Sequence, residues 1–373
     1  MTPEAEFEVL WWKTHLDDGA AGRVADAIRA GHLSNGPLVA ALEQRAAELL
    51  GVKHAIATPN GSMALLMAML TLGVGPGDEV IVPSYTWIAS AHAAHNLGAK
   101  IVLVDVQPDR PVIDIDDVKR RITDRTKAII PVHLCGRAND VEALKSIAAE
   151  VGAYVVEDAC QAIMSKSPDG RYLGTIGDIG CFSLGVAKLL AAGQGGLTVT
   201  NDSELYQRML AVKTHGVISD GNGWEAYDRV GFNFKMTDIL ATIAMAQFMA
   251  PDDRVHHVCA IHDRYSEGLA NLPGLRVSPM NKDVGEVPLW TEIETPKLKE
   301  ISAYLAANGI ETRRVHRPLG EAAHLGDNYP CPNTERYCQE ILVLPSGPGQ
   351  SMANVDRVID LVADWALRSG SSA

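Results

Sequence analysis

The sequence predicts an α/β protein. A large domain is built on a mostly parallel sheet with helices on both faces, and a smaller α+β domain follows at the C-terminal end. Three observations predict it. Strand and helix signals alternate from His54 to Val156, which is the pattern of a sheet threaded by crossover helices. The strands are short Val/Ile runs, such as Val80 to Val82 and Tyr154 to Val156, and a strand of that kind is covered on both faces. The chain has 373 residues, more than one core organises, and Pro251 interrupts a long helical stretch.

Taken in order, two short helices open the chain near Ala20–Arg29 and Pro37–Leu50. A strand (His54–Thr58) and a helix (Ser62–Leu72) follow, then a strand at Glu79–Val82 and a helix at Ile88–Leu97. Next come a strand at Lys100–Val104, a helix at Ile115–Ile122, a strand at Ala128–Val132, a helix at Asp140–Glu150 and a strand at Tyr154–Val156. A further strand covers Leu197 to Thr200. The pattern from Thr237 to Leu269 is helical, with Pro251 placed to start a new helix. The domain boundary is therefore expected there: residues 1–250 hold the N-terminal segment and the large domain, and residues 251–373 hold the small one. The small domain reads as a strand at Glu286–Glu294, a helix at Lys297–Asn308, a strand at Ile310–Arg313 and a last helix at Met352–Leu367.

Composition narrows the function classes. A net charge of −13 argues against nucleic acid or an anionic membrane as partner. The longest apolar stretch, Met63 to Leu72, is about half of what a membrane span needs. The first eight residues are acidic and lack an apolar core, which predicts no secretory leader. Six cysteines, at 135, 160, 181, 259, 331 and 338, form no C-x-x-C pair, so free thiols in a reducing cytoplasm are expected rather than disulfides or a metal centre. His92 and His95, three apart on a helix, have no acidic partner and are read as non-metal.

In an open parallel sheet, ligands sit beyond the carboxyl ends of the strands. Four landmarks fall at such ends. Gly61 and Ser62 open a helix directly after a strand, where free backbone N–H groups and a hydroxyl bind anions. Trp87 offers an aromatic plane after the strand at Glu79. Glu157 and Asp158 follow an apolar strand, and one of them could face a protonated ring nitrogen or a divalent cation. Lys188 stands five residues after Ser183, in an apolar run that ends in Gly193-Gln-Gly-Gly196. An amine in such a run suits carbonyl chemistry better than solvation.

These landmarks, with Ser34-Asn-Gly-Pro37, Pro131-Val-His133, Gln161, Gly174 to Gly180, His215-Gly216, Gly231-Phe-Asn233, Pro318-Leu319 and Leu344-Pro345, run along nearly the whole chain. In their order, the chain resembles the fold-type I, pyridoxal-phosphate-dependent aminotransferases of the DegT/DnrJ/EryC1/StrS family. The resemblance implies that Lys188 carries pyridoxal 5'-phosphate as a Schiff base and later moves the proton. It implies that Asp158 pairs with the pyridine nitrogen, Gln161 lies near the ring hydroxyl and Trp87 stacks on the ring. Gly61, Ser62 and Ser183 would bind the phosphate, joined by Asn233 from the partner subunit of a homodimer. L-glutamate or L-glutamine would be the amino donor. The acceptor would be a keto-sugar, nucleotide-linked, or a keto-cyclitol.

Some family members carry histidine at the lysine position and dehydrate sugars; lysine here favours transamination. Two alternatives stand beside it: other chemistry of the same cofactor (dehydration, or amination of a non-sugar ketone) and a non-catalytic cofactor-binding regulator. Candidate substrate residues are His133, His215, Lys235, Arg314 and His316, with Arg229, Arg313 and Arg317 as further cations for a diphosphate. The chain departs from the family pattern at Gln194, at Ala162 to Ser165, at Phe234-Lys235 and in the small apolar stretch Leu184 to Ala187. These are the places where donor and substrate would be read.

Overall fold

The computed structural model of the protein describes residues 7–219, 225–227 and 229–370; the acidic start of the chain lies mostly outside them. Helices α1 (Ala20–Arg29) and α2 (Pro37–Leu50) precede the sheet. Pro37 at the first turn starts α2, and Gly51, at φ 67°, ends it in the left-handed conformation. The strands of the main sheet are β1 (His54–Thr58), β2 (Glu79–Pro83), β3 (Lys100–Val104), β4 (Thr126–Ile129), β5 (Tyr154–Asp158), β6 (Ile179–Ser183) and β7 (Gly196–Thr200). Between them run α3 (Gly61–Thr71), α4 (Ala89–His95), α5 (Ile115–Arg121) and α6 (Val141–Val151).

The seven strands are ordered β1-β7-β6-β5-β4-β2-β3. Pairings among β2, β3, β4, β5 and β6 are parallel, while β7 is antiparallel to both β6 and β1. Alternate side chains therefore enter two cores. Ala55, Ala57 and Ile81 pack in one with Leu42 of α2 and Leu144 of α6. Ile56, Val80 and Val82 pack in the other with Leu65 of α3 and Ala91 of α4. Helix α3, apolar on all sides, is buried around most of its surface, with Leu66 and Leu70 half-buried along one stripe.

After the sheet come α7 (Ser203–Lys213), the paired strands β8 (Val217–Ser219) and β9 (Glu225–Tyr227), and α8 (Asp238–Met249). Helix α9 (Pro251–Gly268) starts at Pro251, as the sequence predicts. The remaining elements are β10 (Arg276–Val277), β11 (Thr291–Glu294), α10 (Leu298–Ala307), α11 (Pro332–Glu340), β12 (Ile341–Leu344) and α12 (Met352–Gly370). Strands β10, β11 and β12 make an antiparallel sheet, and Ile261, Ile293, Leu305 and Val358 share its core.

Two strands expected in the C-terminal part are shorter or missing. The run expected at Glu286–Glu294 is a strand only from Thr291, because residues before it bond to loops of the main sheet instead. Ser165 Oγ accepts from the Val287 N–H at 3.0 Å, and Cys135 O accepts from the Leu289 N–H at 3.4 Å. Ile310–Arg313 makes single bridges, Ile310 to Val9 and Arg313 to Val343, rather than a ladder. Val9 thus joins the core of the C-terminal sheet: the N-terminal segment reaches across to residues far along the chain.

Candidate active site

The strand directions bring the carboxyl ends of β1, β2, β5 and β6 to one edge, and β7 begins there. In register, Ser183 of β6 and Thr58 of β1 both face Gly196 of β7. Lys188 lies on the connection between β6 and β7, so the sheet delivers it to this edge.

Helix α3 starts at the same edge. Asn60, extended at φ −168°, caps it by accepting the Met63 N–H at 3.0 Å. By helix geometry the N–H groups of Gly61 and Ser62 then point outward without an intrahelical acceptor. Gly61 is required by the packing: a Cβ there would stand 2.8 Å from both Cys160 Sγ and Ser183 Cβ. The helix start is pressed against Ser183, whose Oγ accepts the Gly185 N–H at 3.2 Å. The outward N–H groups of this helix start, with the Ser183 hydroxyl beside it and Ser62 in its first turn, form a cradle that fits a phosphate.

Asp158 ends β5 and is buried. Ser90 Oγ donates to its Oδ2 at 2.7 Å, and the Cys160 N–H donates to its Oδ1 at 3.1 Å. The adjacent Glu157 points to the opposite side of the strand. It accepts the N–H groups of Gly174 (2.8 Å), Ile176 and Gly177 (both 2.6 Å), and His133 Nε2 at 2.8 Å. Burial pushes its pKa up, but His133 and these donors outweigh burial and leave it below the usual carboxylate value. Of the two acids, then, Asp158 is the one available at the strand end.

Lys188 opens on a narrow pocket shared with Cys160, Gln161 and Leu289. Its dense surroundings lower its pKa by desolvation, against the pull of Cys160 and the Asp158 carboxylate. Its Nζ lies 5.7 Å from the centroid of the Trp290 ring. Gln161 is buried and its Oε1 accepts the Cys135 N–H at 3.0 Å.

A groove of about 1300 Å³ adjoins, walled by Trp87, Arg314, His316, Arg317 and Tyr329. Trp87 presents its ring to that space and is 59% exposed. His316 is buried with both ring nitrogens lacking a protein partner. Burial, and then the charge of Lys188, push its pKa down to about 3, so it is neutral near pH 7. Trp290 Nε1 is a second buried donor with no partner. Unpaired buried polar groups are costly, and a hydroxyl of a ligand in the groove would pair with His316, which lines it.

Other candidates fall elsewhere. His133 does not line the groove: it is fully buried, it donates to Glu157, and its Nδ1 accepts the Asn139 N–H at 3.3 Å. Its place is a structural clamp, where the sequence reading had it reading substrate. Arg313 packs over the Trp11 ring at 5.0 Å. His215, Asn233 and Lys235 form a separate group around the Thr214–Asn233 bridge, where Asn233 Oδ1 accepts the Lys235 N–H at 3.3 Å. None of the three lines the groove. His92 and His95, read together from the sequence as non-metal, meet a third imidazole: His324 Nε2 lies 2.8 Å from His92 Nε2, and its ring 5.5 Å from that of His95. No cluster that could hold a metal occurs among the described residues. Sequence reasoning missed Ser90, Trp290 and Cys135. Ser90 is 68 positions from Asp158, and no local pattern marks such a pair.

A model of the DegT/DnrJ/EryC1/StrS aminotransferase family matches residues 15–363. The chain is 31% identical to GDP-perosamine synthase of Vibrio cholerae over 363 residues, covering 95% of this chain and 98% of the relative. It is 34% identical to dTDP-3-amino-3,4,6-trideoxy-alpha-D-glucose transaminase of Streptomyces venezuelae over 372 residues, 98% of this chain and 95% of the relative. Among solved structures it resembles DesV of S. venezuelae, with a TM-score of 0.86 at 32% identity, covering 93% of this chain and 94% of that one. It also resembles 3-amino-5-hydroxybenzoic acid synthase, with a TM-score of 0.87 at 26% identity, covering 98% and 99%.

Proposed function

Because this chain belongs to the DegT/DnrJ/EryC1/StrS aminotransferase family, its cofactor is pyridoxal phosphate and its reaction is amino-group transfer; within that frame we propose the residue roles, the donor and the acceptor. L-glutamate or L-glutamine gives the amino group, and the acceptor is the carbonyl of a keto-sugar in nucleotide-linked form, or of a keto-cyclitol. The observation that carries this reading is the placement of Lys188, on the connection between β6 and β7, at the sheet edge where Asp158 ends β5 and the start of α3 meets Ser183; desolvation lowers the basicity of its amine against the pull of Asp158. The relatives that are named for amino sugars, and the arginines Arg314 and Arg317 on the groove wall, support a substrate bearing a diphosphate.

When bound, the cofactor supplies an electrophilic carbon and a ring that withdraws electrons. The residues of the chain do the rest. Gly61, Ser62 and Ser183 would hold the phosphate, Lys188 would hold the cofactor covalently, and Trp87 would cover the ring. Asp158, fixed by Ser90 and the Cys160 N–H, keeps its carboxylate toward the ring nitrogen, and Gln161 stands by the ring hydroxyl. Lys188 Nζ, when unprotonated, would take the proton from the donor's α-carbon and, in the acceptor half of the reaction, would give a proton to the acceptor carbon that receives the amine. A neutral amine near pH 7 is what that transfer needs.

The protein is read as a homodimer in which Asn233 completes the partner's phosphate site. Phe232 and Val230 beside it are 49% and 68% exposed, an apolar surface that a second copy would cover. The division into two domains near residue 251 is supported by the helix break at Ala250 and Pro251. A cytoplasmic location agrees with six unpaired cysteines, and no helix among the described residues is long and apolar enough to cross a membrane.

The reconstituted protein should show the visible band of the bound cofactor, and L-glutamate or L-glutamine should bleach it in a half-reaction. Lys188→Ala should abolish the band. Keto-sugar nucleotides and keto-cyclitols, supplied to the aminated enzyme, should restore it in one class and not the other. A band that no amino donor changes would sink transamination and leave the non-catalytic regulator standing.

A further inference from the structure

The loop that carries Lys188 closes on itself at the lysine, where Gly185 O accepts the Lys188 N–H at 3.1 Å. Its residues Leu184 to Ala187 are small and apolar, and Val186 turns its side chain outward, 62% exposed. Internal bonds hold its ends: Gly195 O accepts the Leu184 N–H at 2.8 Å, and Leu184 O accepts the Ala192 N–H at 2.9 Å. The carbonyl of Val186, two residues before Lys188, is held from outside. Trp12 Nε1 donates to it at 2.9 Å and Thr14 Oγ1 at 2.7 Å, while Trp12 Nε1 also reaches Thr14 Oγ1 at 3.0 Å.

The segment that makes this clasp is itself pinned to the far end of the chain. Trp11 O accepts the Ser346 N–H at 2.9 Å, Lys13 O accepts the Gly349 N–H at 2.8 Å, and Leu10 O accepts from Gln350 Nε2 at 2.9 Å. Its rings continue the link. Trp11 stacks edge-on against Trp290 at 5.9 Å and tilts against Trp12 at 6.2 Å, and Trp290 is the ring that the Lys188 amine faces. The same strap therefore touches the backbone of Val186, two residues before the lysine, and the aromatic ring opposite the lysine's amine. It lies before residue 15, where the family match begins.

We propose that Trp12 and Thr14 are positioning residues for Lys188: by holding the Val186 carbonyl they set the place of the lysine's backbone, and they tie that place to residues 346–350. The proposal rests on the reading of Lys188 as the amine that carries the cofactor.

Trp12→Phe removes the indole N–H and keeps a ring in the buried site. Thr14→Val replaces the hydroxyl by a methyl of the same shape, and it carries the test alone if Trp12→Phe fails to fold. In the double variant without cofactor, amide hydrogen exchange at 184–188 should quicken by about tenfold, while exchange in β5 and β6 stays unchanged. In the loaded protein, the pH midpoint of the visible cofactor band should shift. The kcat should fall by about fivefold for each hydrogen bond lost, with KM for the amino donor within about twofold of wild type. Thr14→Ser should recover all three. Wild-type exchange at 184–188 together with a wild-type band midpoint overturns the proposal, whatever happens to kcat, because the strap would then only staple the N-terminus. Lys188→Ala separates the two readings: a visible band that survives it sinks the role of Lys188, whereas exchange in the cofactor-free protein reports on the clasp alone.

Discussion

At the scale of single residues, the site is made by opposed uses of similar groups. Glu157 and Asp158 are neighbours, yet strand alternation sends one into a cage of N–H donors and the other to the sheet edge. His133 and His316 differ in the same way. His133 has both nitrogens occupied within the protein, and His316 has neither. The cost of that arrangement is readable in pH. His316 has a folded pKa of about 3, below the ordinary histidine value of about 6.5. The unfolded chain therefore binds this proton first as pH falls. The stability tied to neutral His316 is full above pH 6.5 and is lost from there downward, at roughly 1.4 kcal/mol per pH unit until about pH 3. His316→Gln removes the titration. Between pH 7 and 5, wild type should lose about 2 kcal/mol more unfolding free energy than the variant in urea titrations. Equal losses would mean that His316 is solvated or partnered in solution.

At the scale of elements, three ends meet: the start of α3, the end of β6 and the start of β7. Much of this was legible. Gly61 and Ser62 read as a helix start after a strand, and Lys188 in its apolar run reads as a held amine. The apolar runs and Pro251 placed most elements because local rules suffice for them. What could not be read was contact between distant positions: the Ser90 bond to Asp158, the Trp290 ring under Lys188, and residues 286–290 bonding to loops instead of extending β11. Strand β6, Ile179–Ser183, was visible only as a family motif, since two of its five residues are Gly and Ser, which strands disfavour. The contact at Gly61 gives a direct test. A Cβ there would meet Cys160 Sγ and Ser183 Cβ at 2.8 Å, closer than packed atoms sit. Gly61→Ala must push the helix start away from Ser183, at a cost of about 1–3 kcal/mol. Cofactor affinity should fall by at least about tenfold, read by titrating the cofactor-free protein, with a lower melting temperature. Unchanged affinity would remove this helix start from the phosphate site.

At the scale of the whole molecule, the question is whether one chain contains a full site. Asn233 sits on the surface beside Phe232 and Val230, away from the groove that its own Trp87 and His316 wall. If the resemblance carries over, this asparagine serves the neighbouring subunit, and each site needs two chains. That arrangement makes a prediction no single-chain site can imitate. Lys188→Ala and Asn233→Ala should each be inactive or nearly so as pure dimers. Mixed and refolded together, half of the dimers are hybrids. In each hybrid, one site collects both defects and the other collects neither. About a quarter of wild-type activity should therefore return at equal mixing. A mixture that stays at the sum of its two parents would place Asn233 in its own chain's site or outside catalysis. A sedimentation measurement that finds single chains at working concentration would leave the exposed apolar surface around Phe232 for some other partner.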